Sequence, residues 1–222
     1  MVHLVNVVTA LAVIGVMTIV LPMAAPKASE PVRILALGDS LTAGYGLPQD
    51  QSFPVKLQTA LNESGLPAIV YNGGVSGDTS AGGLSRLDWA MAMAGDDTMD
   101  AVIVELGAND GLRGLDPAAT LANLDTLIGR LAKRDKRPAV LLTGMRAPPN
   151  LGPEYGAEFA ALYPFLAKKH KIALYPFFLD GVAAIPALNQ SDTIHPNSRG
   201  VDIVIARILP YIKDMLANRH DR

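Results

Sequence analysis

The feature of this sequence that most constrains its fold is an alternation of two kinds of segment from Pro31 onward. Short aliphatic and β-branched runs, typical of buried strands, alternate with longer segments whose apolar residues recur every three or four positions, as in amphipathic helices. Strands that alternate with helices along a chain form a parallel sheet with helices on both faces. The sequence therefore predicts an α/β fold, and its 222 residues predict one main domain.

Five strands and five helices are predicted from these patterns. Each strand is followed within a few residues by Gly, Asn or Pro, which end regular segments. Because ligands bind outside the carboxyl ends of parallel strands, we expect the functional residues in the loops that follow the strands. The predicted strands are 32–37, 69–72, 101–106, 139–143 and 172–175, and the predicted helices are 51–64, 80–93, 117–134, 154–170 and 198–218.

The composition of the chain excludes several classes of function. Only 18% of the residues are charged and the formal net charge is −2, so the basic footprint of a nucleic-acid-binding protein is missing. The sequence has no cysteine, which removes disulfides, thiol nucleophiles and Cys-ligated metals. It has no Walker loop, His-Glu-x-x-His motif or dinucleotide fingerprint, so no cofactor or metal is implied. A small neutral or apolar molecule is the expected partner, and no oligomer is implied.

The N-terminal segment is predicted to be a targeting sequence. No charged side chain occurs from residue 4 to residue 25, and small residues at Ala24, Ala25 and Ala28 offer cleavage sites for a signal peptidase. We therefore expect residues 1–28 to be a signal peptide, residues 29–222 to be the mature domain, and the protein to be periplasmic or secreted. The alternative is an uncleaved anchor formed by residues 4–25, since the segment is long enough to span a bilayer and lacks a Lys or Arg before it. A helix of the domain itself is the least favoured interpretation.

The first candidate catalytic residue is Ser40, which follows the first predicted strand in the tetrad Gly-Asp-Ser-Leu. A serine hydroxyl at this place faces the crevice at the carboxyl edge of the sheet. Serine is a weak nucleophile and needs a neighbouring base. On this tetrad alone the structural interpretation is favoured, in which Asp39 and Ser40 cap a short helix.

The candidate base is His195, which lies three residues after Asp192 and just before the last predicted helix. A short turn would let Asp192 accept the Nδ1–H of His195, which leaves Nε2 to take a proton from serine. Pro196 restricts His195 to extended geometry in a loop. The other three histidines lie in the targeting segment, at a lysine-rich helix end and in the C-terminal tail. The alternative interpretation is an Asp at a helix entry beside a surface histidine.

A nucleophile and a base also need hydrogen-bond donors for the oxyanion of the intermediate. Gly77 follows the second predicted strand and Asn109 follows the third, at the same edge as Ser40. The backbone N–H groups of Ser40 and Gly77 and the side chain of Asn109 would give three donors. The alternative for each residue is ordinary turn chemistry. The Gly-x-Ser-x-Gly signature of α/β-hydrolases is absent from the sequence, which sets that family aside.

Taken in order, these four fragments resemble the conserved blocks of the SGNH (GDSL) hydrolase family: Gly-Asp-Ser-Leu at 38–41, Gly77, Gly-x-Asn-Asp at 107–110 and Asp-x-x-His at 192–195. The stretches 76–80, 104–114 and 175–178 resemble its bacterial multifunctional thioesterase, arylesterase and lysophospholipase subgroup. The resemblance implies a flavodoxin-like three-layer α/β/α sandwich with a central parallel sheet of about five strands. It also implies a catalytic triad of Ser40, Asp192 and His195, and an oxyanion hole formed by Ser40, Gly77 and Asn109.

The expected substrates are acyl esters or thioesters, cleaved through an acyl-enzyme on the serine. The resemblance implies that the loop after the third strand borders the acyl pocket. Apolar residues near the site favour an acyl chain over a sugar: Leu106, Leu112, Leu115, Met145, Leu151 and Leu162. A carbohydrate acetyl-esterase of the same family and a catalytically silent lipid- or carbohydrate-binding protein remain as alternatives. The expected substrate-binding residues are Asp110, Gly111, Leu112, Arg113, Leu115 and Met145.

Overall fold

The computed structural model describes Met1 and residues 30–95 and 99–219. The predicted N-terminal targeting segment, apart from Met1, lies outside the described residues. Within the described part of the chain, no helix is long and apolar enough to cross a membrane.

The core of the fold is a five-stranded sheet in which all pairings are parallel. Its strand order is β2-β1-β3-β4-β5, the order of flavodoxin-like proteins. Every residue of β3 and β4 is buried, as expected for central strands covered on both faces. The strands are β1 Val32–Gly38, β2 Ala68–Gly74, β3 Ala101–Glu105, β4 Ala139–Thr143 and β5 Ala173–Tyr175. The predicted fold class and all five predicted strands are therefore confirmed.

Eight helices flank or edge this sheet in the described residues. Helices α2 and α8 pack together, α2 against β2 and α8 against β4 and β5, while α6 packs against α3 and α7. The short helices α1 and α5 follow β1 and β3 directly. The helices are α1 Ser40–Ala43, α2 Phe53–Glu63, α3 Ser80–Ser85, α4 Leu87–Ala94, α5 Ala108–Leu112, α6 Pro117–Ala132, α7 Pro153–His170 and α8 Ser198–Ala217. Single 3₁₀ turns occur at Gln49–Gln51, Pro149–Leu151 and Pro186–Leu188.

Two features of the helices differ from the prediction. The helix predicted over 80–93 is two helices, α3 and α4, that meet at Arg86. The side chain of Arg86 donates to the Asp78 carboxylate at 2.5 Å and to the Gly38 carbonyl at 2.8 Å, which ties this residue to the loop before α3 and to the end of β1. Helices α1 and α5 were not among the predicted helices, because four or five residues are too few to show a helical repeat.

The point where the chain reverses its direction across the sheet lies between β1 and β3. From β1 the chain moves outward to β2 on one side, and β3 then pairs with β1 on the other side. Ligand sites of open α/β sheets lie at this switch point, outside the carboxyl ends of the strands. The residues that follow β1 and β3 are Asp39 and Ser40, and Leu106 to Asn109, which places Ser40 and Asn109 at the switch point.

Gly74, the last residue of β2, lies directly against α1. A Cβ atom at Gly74 would be 2.2 Å from the backbone nitrogen of Ala43 and 2.7 Å from its Cα. We expect Gly74→Ala to lower the free energy of unfolding by about 1–3 kcal/mol, the usual effect of overpacking. Apart from its chain neighbours and the backbone of α6 itself, no heavy atom of the described residues lies within 4 Å of such a Cβ at Gly129, so Gly129→Ala is the matched control. It should stabilise the protein by about 0.5–1 kcal/mol through helix propensity. Chemical denaturation measures both, and equal effects would contradict this account of the contact.

Candidate active site

Ser40 is the first residue of α1, a helix that begins two residues after the end of β1. Asp39 is the N-cap of this helix, because its Oδ1 accepts the backbone N–H of Leu41 at 2.9 Å. The capping interpretation of the sequence is therefore right for Asp39. The Ser40 side chain is left free of a capping bond and extends into the crevice at the edge of the sheet.

The structure brings Ser40, His195 and Asp192 into one chain of hydrogen bonds. The Nε2 atom of His195 lies 2.8 Å from Ser40 Oγ, although the two residues are 155 positions apart. Its Nδ1 atom lies 2.6 Å from Asp192 Oδ2. With Asp192 ionised, Nδ1 carries the hydrogen and donates it to the carboxylate, so that Nε2 accepts from the serine hydroxyl.

The carboxylate of Asp192 is held in its charged form by the loop that carries it. Its Oδ1 accepts the backbone N–H groups of Ile194 and His195, each at 3.0 Å. The bond from the His195 backbone is the largest cause that lowers the pKa of Asp192 to about 2, and the imidazole of His195 adds to it. Asp192 is therefore ionised at any pH near neutrality, as an orienting carboxylate must be.

This turn depends on an unusual backbone conformation at Thr193. Its φ is 62°, in the left-handed region that β-branched residues seldom occupy. The backbone N–H of Thr193 donates to the Gln190 carbonyl at 3.0 Å, which closes the turn. Such strain costs about 1–3 kcal/mol and is found mainly where function requires it. Here the left-handed conformation of Thr193 turns the chain back, so that the Asp192 carboxylate reaches both the backbone N–H and the ring of His195.

Two further residues hold His195, and the sequence contained no signal for them. The ring of Tyr45 lies against the imidazole, with centroids 4.6 Å apart. The side-chain amide of Gln190 donates to the carbonyl of Tyr45 at 2.7 Å and to that of Pro196 at 3.0 Å. This amide ties the segment after α1 to the loop that carries the base. Only the tertiary structure brings these two segments together.

The three predicted oxyanion donors line the same crevice, but one of them is already engaged. Gly77 has a φ of 85°, which explains the need for glycine. The side-chain nitrogen of Asn109 donates to Asp39 Oδ2 and to the backbone carbonyl of Asp78, both at 2.9 Å. Its two N–H groups thus have two acceptors within the protein. In this structure the side chain of Asn109 has no donor left over for a ligand.

The crevice beside Ser40 and His195 has a volume of about 680 Å³ and a mainly apolar wall. Of the six residues expected to bind substrate, Leu112 and Met145 line it. Arg113 and Leu115 are exposed outside the lining, and the Arg113 guanidinium donates to the Gly77 carbonyl at 2.9 Å. The wall is formed by small and apolar side chains: Leu112, Met145, Ala147, Pro148, Pro149, Phe177, Leu179, Ala183, Ala184 and Ile194.

Asp110 and Gly111 do not belong to the crevice either, because both are buried. The Asp110 carboxylate accepts hydrogen bonds from the hydroxyls of Ser80 and Thr120, and therefore joins α5 to α3 and α6. Leu106 and Leu162, which suggested an acyl pocket in the sequence, belong to the hydrophobic core. Asp110 and Gly111 were predicted to bind substrate because they are next to Asn109 in the sequence. The packing of α5 against α3 and α6 turns both residues away from the crevice.

A buried pair of acids lies beneath Ser40. Asp39 and Glu105 are both fully buried. Glu105 Oε2 accepts the Thr42 hydroxyl at 2.7 Å and the Asp39 backbone N–H at 3.3 Å. Burial raises the pKa of Asp39 to about 6 and raises that of Glu105 well above its ordinary 4.5, with the charge of Asp39 adding to the rise at Glu105. The only sequence signal for Glu105 was an acid at the end of an otherwise apolar strand.

A serine, a histidine and an aspartate joined in this order at the carboxyl edge of a parallel sheet have the geometry of a serine hydrolase site. The chain belongs to the GDSL-like lipase/acylhydrolase family, whose family model matches residues 36–203.

Individual relatives agree with this assignment. The chain is 42% identical over 173 residues to an arylesterase of Vibrio mimicus, covering 78% of this chain and 83% of the relative. It is 36% identical over 193 residues to thioesterase 1/protease 1/lysophospholipase L1 of Escherichia coli, covering 87% and 85%. Among solved structures, the psychrotrophic esterase EstA of Pseudoalteromonas sp., inhibited by monoethylphosphonate, matches with a TM-score of 0.76 at 32% identity, covering 83% of this chain and 98% of EstA.

The buried acids under the site give the stability of the protein a pH dependence. Because the pKa of Asp39 is about 6 in the folded state and near its ordinary 3.8 in the unfolded state, the folded protein binds more protons between these values. The contribution of Asp39 to stability is therefore full below the unfolded pKa and is lost as pH rises through the folded pKa. We expect the free energy of unfolding of Asp39→Asn, relative to wild type, to rise steadily from about pH 4 to about pH 7. Denaturation at a series of pH values measures this, and parallel profiles would contradict it.

Proposed function

We propose that this protein is a serine hydrolase that cleaves carboxylic esters and acyl thioesters through an acyl-enzyme on Ser40. The observation that carries the proposal is the hydrogen-bonded chain from Ser40 through His195 to Asp192. Serine Oγ attacks the carbonyl carbon while Nε2 of His195 takes its proton, and the same proton is then delivered to the leaving alcohol or thiol. A water molecule, deprotonated by His195, then attacks the acyl-enzyme. The bond between the acyl carbon and Ser40 Oγ breaks, His195 returns the proton to Oγ, and the acid is released.

The apolar crevice supports an acyl chain as the part of the substrate that is buried. Apart from the buried Asp39, Arg146 and the base itself, the crevice lining consists of neutral side chains. Burial of one CH₂ group against such a wall contributes ~0.8 kcal/mol. Each carbon added to the acyl chain should therefore increase the affinity for the substrate until the crevice is filled. Names of relatives that include arylesterase, thioesterase and lysophospholipase agree with this class of substrate.

The two alternative functions are less well supported by the geometry. A sugar esterase would present polar groups and stacking rings along the wall, whereas this wall is mostly aliphatic. A silent binding protein would not need a base 2.8 Å from the serine hydroxyl. Initial rates on a panel of p-nitrophenyl esters, an acyl-CoA, a lysophospholipid and acetyl-xylan would rank these functions. The proposal requires turnover of one of the first three.

A fluorophosphonate probe tests the nucleophile directly. We expect the wild-type protein to be labelled on Ser40, and both Ser40→Ala and His195→Ala to lose nearly all labelling and hydrolysis, since the members of such a triad act as a unit. Ser85→Ala is the matched control, because Ser85 is an exposed serine on α3 that bonds only within its own helix. Its labelling should equal that of wild type. Full hydrolysis by Ser40→Ala would disprove the proposed mechanism.

Asn109→Ala tests the proposed oxyanion hole of Ser40, Gly77 and Asn109. Loss of one oxyanion donor lowers kcat by roughly 10²–10³ in other hydrolases, with little change in KM. We expect the same division here, because the donor acts on charge that develops only in the transition state. Steady-state kinetics on one p-nitrophenyl ester measures both constants. A raised KM with an unchanged kcat would make Asn109 a ground-state binding residue instead.

The proposal extends to the whole chain: residues 1–28 act as a signal peptide, and residues 29–222 form the hydrolase domain that works in the periplasm or outside the cell. The basis is the uncharged stretch from residue 4 to residue 25 together with the small residues Ala24, Ala25 and Ala28 at and just after its end. Mass spectrometry of the N-terminus of the protein from its native host should find cleavage after Ala25 or Ala28. An intact Met1 in a membrane fraction would show an anchor instead.

A further inference from the structure

The carboxylate of Asp39 makes two bonds, and only one of them is explained by the helix that it caps. Oδ1 accepts the backbone N–H of Leu41, which is the capping bond. Oδ2 accepts the side-chain N–H of Asn109 at 2.9 Å. A cap requires one oxygen, and serine provides one as well as aspartate does. The second oxygen of this fully buried carboxylate is therefore committed to Asn109.

Asn109 has two N–H groups and its two acceptors differ in kind. One is the carboxylate of Asp39, and the other is the backbone carbonyl of Asp78 in the segment between β2 and α3. A hydrogen bond to a carboxylate is about twice as strong as one to a neutral carbonyl. The carbonyl of Asp78 follows directly after Gly77, one of the proposed oxyanion donors. If a substrate oxygen takes one N–H of Asn109, the bond to Asp78 is the one that is given up.

We propose that Asp39 is a positioning residue for the oxyanion hole: its carboxylate holds the amide of Asn109 while the substrate oxygen replaces the carbonyl oxygen of Asp78. This inference rests on the proposed hydrolase function. The Asp39 side chain is fully buried, and in this proposal it makes no bond to the reacting atoms and acts only through Asn109. Its charge is unfavourable for a nearby oxyanion, so its contribution is to the orientation of the amide.

The position of Asp39 in the fold suits this task. Gly38 pairs with Glu105 in the sheet, so the residues after β1 and β3 leave the sheet side by side. The backbone N–H of Asp39 is held by Glu105 and its Oδ1 is held by Leu41, which leaves the carboxylate little freedom to move. A rigid acceptor beneath Asn109 keeps the amide in one orientation without any new bond in the transition state.

Asp39→Ser separates the two roles of this residue. Serine retains the cap on Leu41 but has no second side-chain oxygen to accept the bond from Asn109. We expect kcat for a p-nitrophenyl ester to fall by roughly 10- to 100-fold, somewhat less than for the loss of the donor itself, with KM nearly unchanged. Asp39→Asn is the second variant: one of its two terminal atoms becomes a donor, so it can accept from Leu41 or from Asn109 but not from both. Its kcat should fall as well.

The double variant Asp39→Ser/Asn109→Ala gives the decisive measurement. If Asp39 acts through Asn109, the double variant should have the same kcat as Asn109→Ala alone, because the group to be positioned is gone. Gln190→Ala is the control for an independent effect, since the Gln190 side chain bonds the carbonyls of Tyr45 and Pro196 beside the base and bonds neither Asp39 nor Asn109. Its effect on kcat should multiply with that of Asn109→Ala. Circular dichroism and fluorophosphonate titration give the concentration of folded, active protein for each variant.

The outcomes distinguish this inference from the function on which it rests. Unchanged kcat in Asp39→Ser, or losses that multiply in the double variant, would leave Asp39 as a helix cap only and overturn the inference. Full hydrolysis by Ser40→Ala would instead overturn the proposed function. Loss of activity in Ser40→Ala together with full activity in Asp39→Ser and Asp39→Asn rejects the positioning role alone.

Discussion

The parallel pairing of β1 with β3 is the interaction on which the rest of the site depends. It places Gly38 opposite Glu105, so that the two segments that leave these strands run beside each other. Both strands are buried almost throughout, and a shift of their register by one residue would turn every side chain to the opposite face and disrupt its packing there. The register therefore sets the position of Ser40 relative to Asn109 before any side-chain contact is made between them.

Close approach at this edge requires residues without bulk. A Cβ atom at Gly38 would lie 2.1 Å from Thr42 Oγ1 and 2.6 Å from Glu105 Oε2, so glycine leaves the space in which Thr42 and Glu105 form their bond. The same edge holds two buried acids and the left-handed Thr193. Buried acids and strained backbone both oppose folding. The stability that offsets them comes from the hydrophobic core formed by the strands and helices.

Much of the fold could be predicted from the sequence, because buried strands are short aliphatic runs and long helices have apolar residues every three or four positions. The five strands and the stripe of α6 around Leu124, Leu127 and Ile128 are of this kind. The break at Arg86 could not be predicted, since it depends on side-chain bonds to Asp78 and Gly38 that exist only in the folded chain.

The meeting of Ser40, His195 and Asp192 was predicted from two short blocks, one after the first strand and one before the last helix, and the structure brings the three side chains together. The engagement of Asn109 with Asp39 and Asp78 was not, because a sequence shows which donors are present and not which acceptors compete for them. Glu105 was missed for the same reason, as its importance lies in what is packed around it.

The nucleophile follows the first strand and the base precedes the last helix, so the proposed chemistry needs nearly the full length of the domain. A chain that ends before residue 192 contains Ser40 but neither the base nor the carboxylate that orients it, and therefore has no triad. The site forms only when the two ends of the domain pack together, so hydrolysis by this protein indicates that both ends have folded.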